Sequence, residues 1–346
     1  MLAALRVALE PQPRPAIDAS MLPLCMKVIA GDSSAARELE AHPVVRKMSE
    51  GMREEVQFTA EELARAAFLA ADDQRFSWRR LRDNARFVTP FAAKAPTLLE
   101  GLIGRNAARA SEFLATPMRA DNVPVHLVCG GPWDGYVLYF DRGAELFLDI
   151  GWHADGEIDA ILPGFEAVLT HELWHIAFGE HVRMRFAVDY KHAVDPATLF
   201  IYEMINEGVG HYYSMRPRLY PTISVAQFEE KQAAVFALLE TSYPQLLAEK
   251  DADRRREMLW RSHAGVPFWQ KWGAVPGALV VYRLVEAIGA EGVRALLAHE
   301  PFSLLIAYQD QRAAHPAWPP LPMSLVEDAR RLRRRQVPGG GTASPQ

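Results

Sequence analysis

The pattern of apolar and polar positions divides the chain into a helical stretch, a short β-rich stretch and a longer helical stretch. From about residue 33 to 118 apolar residues recur at three- and four-residue spacing, the period of helices with one buried face. Thr59 and Glu62 form a capping box ahead of ELARAAFLAA, and PTLLEGLIGRNAARASEFL continues the helical period. Near residue 123 the character changes. VPVHLVC (123–129), YVLYF (136–140) and ELFLDIG (145–151) are short, apolar and rich in β-branched or aromatic residues, and Gly-Gly-Pro and Asp-Arg-Gly separate them. They predict three strands of a small sheet. After residue 158 the helical period returns, with helices predicted roughly over 163–179, 196–215, 225–249, 251–262, 276–299 and 324–335.

The proline-rich residues 1–32 predict an irregular lead-in. The Pro, Gly and small polar residues of 337–346 predict a disordered tail. Between them the pattern separates an N-terminal helical region (33–120) from one further domain (121–336). That domain has its sheet at 123–151 and its helical lobe at 158–336. The predicted class is α+β, mostly α, with a small antiparallel or mixed sheet.

Composition narrows the function classes. With 346 residues, 49% hydrophobic and 23% charged, the chain can bury a large core. A formal net charge of −5 gives no electrostatic reason to expect nucleic acid as a partner. The basic run Arg330, Arg331, Arg333, Arg334 and Arg335 predicts a solvated helix end. No window approaches the roughly 18 uninterrupted apolar residues of a membrane span. The first apolar stretch is broken by Arg6 and Glu10, unlike a signal segment. Two cysteines, Cys25 and Cys129, cannot make a disulfide framework and fit a reducing compartment, so a cytoplasmic protein is expected.

The candidate chemistry lies in EAVLTHELWHIAF, which contains His171-Glu172-Leu173-Trp174-His175. Residues i and i+4 of a helix lie one above the other, so two imidazoles there can reach one zinc ion at about 2.0–2.1 Å. Glu172 then lies beside the metal rather than on it, where it can take a proton from a metal-activated water attacking a carbonyl. Val168, Leu169, Leu173, Trp174, Ile176 and Phe178 make the segment a buried helix, and a carboxylate between two His in such a helix needs a compensating reason.

A catalytic zinc takes three protein ligands, and three candidates compete for the third place. In LFIYEMINEGVGHYYSM (199–215), capped by Asp195 with Pro196 in its first turn, Glu203, Glu207 and His211 share one face of an otherwise apolar helix. His181 follows His175 by six residues, the metzincin spacing. Phe178, however, stands where that family has its bend glycine, and Gly179 comes one residue late. Cys129 lies upstream at a spacing that resembles peptide deformylases, but it follows an alternating strand, where a buried thiol is the simpler reading. Glu207 is the expected ligand.

In these features the chain resembles the gluzincin zinc peptidases, above all uncharacterised bacterial zinc-dependent peptidases with HExxH and a distant Glu-Gly. The HELWH helix is followed, 32 residues after His175, by Ile205-Asn206-Glu207-Gly208, which resembles the Asn-Glu-Gly element whose Glu is the third ligand. PGALVVYRLVEAIGAEGVRALLA (276–298) is similar to the helix with a Tyr and then a Gly-x-x-Gly bend that closes such domains. The resemblance covers about 123–299. It implies that His171, His175 and Glu207 bind Zn2+ and that Glu172 is the base. It further implies that Tyr282 donates to the oxyanion, and that ELFLDIG is an edge strand on which an extended peptide pairs. Tyr202, Tyr212, Tyr213 and His211 compete with Tyr282 for the oxyanion role. Thermolysin-like members keep an Asp four residues after the ligand Glu to hold the first His. Here His211 stands in that position, so Glu203 is expected to take the part. The function expected is hydrolysis of peptide substrates by a zinc peptidase. The alternatives are a metzincin-like enzyme using His181 and a zinc-binding scaffold without turnover.

Overall fold

The three predicted strands pair, and a fourth joins them. In the computed structural model, which describes residues 16–52, 56–70, 75–153, 156–186, 195–219 and 223–336, the sheet order is β1-β2-β4-β3. β1 (Ile17–Asp18) runs parallel to β2 (Val125–Val128), β2 runs parallel to β4 (Gly143–Asp149), and β3 (Gly135–Phe140) forms an antiparallel hairpin with β4. In that hairpin Tyr136 pairs with Phe147, and their rings stack 5.3 Å apart, the cross-strand contact that sets hairpin register. The expectation for ELFLDIG is corrected here. β4 has a partner on each side, so its backbone N–H and C=O groups are spent within the sheet and no peptide can add to it.

The chain folds into two compact units, one of residues 1–107 and 119–162, the other of residues 108–118 and 163–346. The sheet therefore shares a unit with the N-terminal helices, whereas the sequence pattern groups it with the helices that follow. The helices of the first unit are α1 (Leu22–Ile29), α2 (Ser33–Ala41), α3 (Pro43–Gly51), α4 (Ala60–Leu69), α5 (Trp78–Asp83) and most of α6 (Ala85–Ala110). β1 and α1 lie inside the stretch expected to be irregular. The capping box forms as predicted, Thr59 Oγ1 accepting from Glu62 N and the Glu62 carboxylate accepting from Thr59 N. Cys25 of α1 and Cys129 after β2 form a buried disulfide, contrary to the expectation of free thiols. At a sequence separation of 104, no local spacing announces the pair. A polar network also ties this unit: His126 of β2 meets Glu145 of β4 at 2.6 Å and Asp18 of β1 at 3.3 Å, and Lys47 of α3 donates to Glu145.

The second unit is helical. α7 (Ile158–Phe186) runs on beyond the predicted 163–179 and is followed by α8 (Pro196–Leu219), α9 (Val225–Ala248), α10 (Ala252–His263), α11 (Ala274–His299), α12 (Ser303–Gln311) and α13 (Met323–Gln336). α12 is the helix the sequence pattern misses. α8 and α11 cross at two glycines: a Cβ on Gly277 would lie 2.2 Å from the Met204 carbonyl oxygen, and one on Gly208 2.6 Å from the Gly277 backbone. Only residues without a Cβ allow that approach. The bend expected in α11 falls at Gly289, whose φ of 72° takes it out of the helix. The basic end of α13 is partly paired, Arg331 with Asp328 and Asp195, Arg330 with Asp310, and Arg333 with Glu300. Among the described residues no helix is long and apolar enough to cross a membrane. The predicted tail, 337–346, lies outside the described residues.

Candidate metal centre

α7 and α8 bring the predicted residues together. HELWH sits mid-helix in α7, where Leu173 and Trp174 are fully buried and anchor the helix, and Trp174 Nε1 donates to the Asn206 carbonyl of α8 at 2.8 Å. α8 starts as its sequence dictates, with Thr198 donating to the Asp195 carboxylate and Pro196 in the first turn. Gly210 leaves room for the His171 ring, which would stand 2.9 Å from a Cβ at that position.

Both imidazoles of HELWH turn Nε2 toward one carboxylate. His171 Nε2 lies 3.7 Å from Glu207 Oε2, and His175 Nε2 lies 3.7 Å from Glu207 Oε1. Two donors on a tetrahedral zinc at 2.0–2.1 Å stand about 3.4 Å apart, so this spacing fits a cation between them better than direct hydrogen bonds. The other ring nitrogens are held from α8: His175 Nδ1 meets Asn206 Oδ1 at 2.9 Å, and His171 Nδ1 meets Ser214 Oγ at 3.4 Å. An amide oxygen only accepts, so His175 carries its proton on Nδ1 and presents the Nε2 lone pair, the tautomer a metal ligand needs. Glu172 is buried, and a carboxylate oxygen of it lies within 4.8 Å of the ligand nitrogens of His171 and His175.

The electrostatics suit a cation. Burial works against charge on His171, yet the neighbouring Glu207 and Glu172 carboxylates outweigh it and hold its pKa above the ordinary value. Burial likewise opposes an ionised Glu207, but His175, His171 and His263 keep its carboxyl well below the usual range. Burial and the Lys271 ammonium push His211 far down, so its ring is neutral. That ring stands 4.8 Å from His171, and its Nε2 is 3.3 Å from Lys271 Nζ.

Several expectations change. Ser214, rather than Glu203, meets His171 Nδ1. Glu203 instead groups with Glu207 and His263, their ligand atoms all within 4.8 Å of one another. His181 does not join the centre. α7 continues unbroken past Gly179 to Phe186, which carries His181 about 9 Å beyond His175 along the axis, and its Nε2 faces the Leu297 carbonyl at 3.3 Å. His181 is buried, not exposed at a helix end. Cys129 is spent on the disulfide. Tyr282 lies five residues beyond Gly277 on α11, about 140° round the helix from the face that meets α8, and the Arg283 guanidinium covers its ring at 5.6 Å. Tyr213 packs between Phe113 and the Arg109 guanidinium, and Tyr202 against Phe178 and Phe302.

Sequence reasoning misses Ser214, His263 and Lys271. Ser214 is seven residues after Glu207, two helical turns on, so the period of α8 offers it. His263 ends α10 and Lys271 follows in the next connection, where no local spacing links either to HELWH. Compared with known proteins, the chain matches no family model, no curated protein and no solved structure.

Proposed function

We propose that this chain is a zinc-dependent peptidase of gluzincin type that hydrolyses amide bonds. The observation that carries the reading is the convergence of both HELWH Nε2 atoms on Glu207 at 3.7 Å, with their Nδ1 atoms held by Ser214 and Asn206. His171, His175 and Glu207 would hold the ion. Zinc bound there would supply Lewis-acid polarisation of a carbonyl and acidify a water. Glu172 takes the proton from the attacking water and delivers it to the leaving amine, the task of a general base turned general acid. Lys271, close enough to His171 to bear on its protonation, is the positive group available to the developing oxyanion. Tyr282 is assigned no part, because the turn of α11 carries it away from α8.

The substrate class that follows is a peptide or protein, with no role for nucleic acid or membrane. The cytoplasmic expectation loses one support, since Cys25 and Cys129 are paired; a buried disulfide favours folding in an oxidising compartment.

The test is Glu172→Gln, assayed on a peptide library with zinc content measured in parallel. The reading expects intact zinc binding and a rate lower by about 10²–10⁴. Undiminished turnover would remove Glu172 from its role. Zinc binding with no turnover in the native chain would support the scaffold reading.

A further inference from the structure

We propose that Glu203, Glu207 and His263 form a second divalent-cation site, so that the centre holds two ions bridged by Glu207. The inference rests on the zinc-peptidase reading for its first ion, but its own evidence lies on the other side of Glu207. Glu203 and Glu207 are one turn apart on α8, and His263 reaches them from the end of α10. One ligand atom from each lies within 4.8 Å of the other two. Glu203 is only 6% exposed and His263 7%. Among the described residues no hydrogen bond or ion pair reaches the Glu203 carboxylate, although it points at a second carboxylate. Two neighbouring carboxylates with no donor between them repel one another, and a cation bound by both removes that repulsion.

His263 brings an imidazole to the two carboxylates. Ser262 Oγ spends its proton on the Leu259 carbonyl at 2.6 Å, so toward His263 Nδ1, 3.4 Å away, it can only accept. With its proton on Nδ1 the ring would keep the Nε2 lone pair for a metal ion. An ion bound among these three groups would turn the cluster into coordination. Two carboxylates and one imidazole suit zinc or manganese. A carboxylate shared between neighbouring ions is compatible with the roughly 3.5–4 Å separation of two-metal hydrolytic centres. The sequence gives no sign of this, because His263 lies 56 residues beyond Glu207.

The full chain, stripped with a chelator and reloaded with Zn2+ alone, is to be analysed by native mass spectrometry and elemental analysis. Two ions per chain are expected in the native protein. Glu203→Gln, and separately His263→Asn, should each leave one ion, with an unchanged circular dichroism spectrum showing that the variants fold. His171→Ala should also lose an ion. One ion in the native chain, lost with His171→Ala and kept in both other variants, would overturn the second site and leave the peptidase reading standing. No bound ion at all would overturn both. If one of the two variants fails to fold, the other carries the comparison.

Discussion

Single residues in this protein are set by what burial leaves them to bond. Asp149, at the end of β4, is fully buried and accepts hydrogen bonds from Gly131 N at 2.6 Å and Gly151 N at 2.8 Å. Burial outweighs those donors and pushes its carboxyl up to about 8. In the unfolded chain the same group titrates near about 3.9. The folded state therefore holds a proton between those two values that the unfolded state has lost, and stability falls as pH rises across that window. Thermal melts should show a higher Tm at pH 5.5 than at pH 8, and Asp149→Asn should flatten that slope; an equal slope in the variant would assign it to other groups. At the proposed metal centre two candidates for the oxyanion donor can be separated. Lys271→Gln should lower kcat by about 10- to 100-fold with little change in KM, as loss of charge stabilisation does. Tyr282→Phe should leave kcat nearly unchanged, and a large fall would return the oxyanion role to the phenol.

At the scale of elements, the proposed function depends on how closely α8 approaches its neighbours. Gly208 and Gly277 remove the atoms that would separate α8 from α11, and Gly210 makes room for His171. Gly277→Ala must push α11 away from the Met204 carbonyl, at a cost of about 1–3 kcal/mol, and it should displace Glu207 with α8. A lower Tm together with weaker zinc binding is expected; an unchanged Tm would mean that the crossing relaxes freely. This scale also shows what the sequence reveals. HELWH, the capping box at Thr59, the hairpin strands and the ionisable face of α8 are legible because each rests on spacing within one element. The interior position of β4 is not, because it depends on β2 lying parallel to β4, past the strand that follows β2 in sequence. His181 misleads for a related reason: the metzincin spacing counts residues, whereas the unbroken helix decides where the side chain goes. His263 and Lys271 enter the centre only through packing between elements.

For the whole molecule, the Cys25–Cys129 bond closes a loop of about a hundred residues within the first unit. Restricting an unfolded chain over such a loop stabilises the fold by about 2–4 kcal/mol. Cys25→Ala with Cys129→Ala should lower Tm accordingly while metal content stays the same, and thiol titration of the native chain should find no free cysteine. Loss of metal in that variant would revive Cys129 as a ligand. Glu207 is the proposed ligand that joins α8 to the HELWH helix. The most direct test is the zinc affinity of Glu207→Ala beside that of His181→Ala and the native chain. A fall of at least tenfold in the first variant with no change in the second is predicted. Affinity that survives Glu207→Ala and collapses with His181→Ala would contradict it.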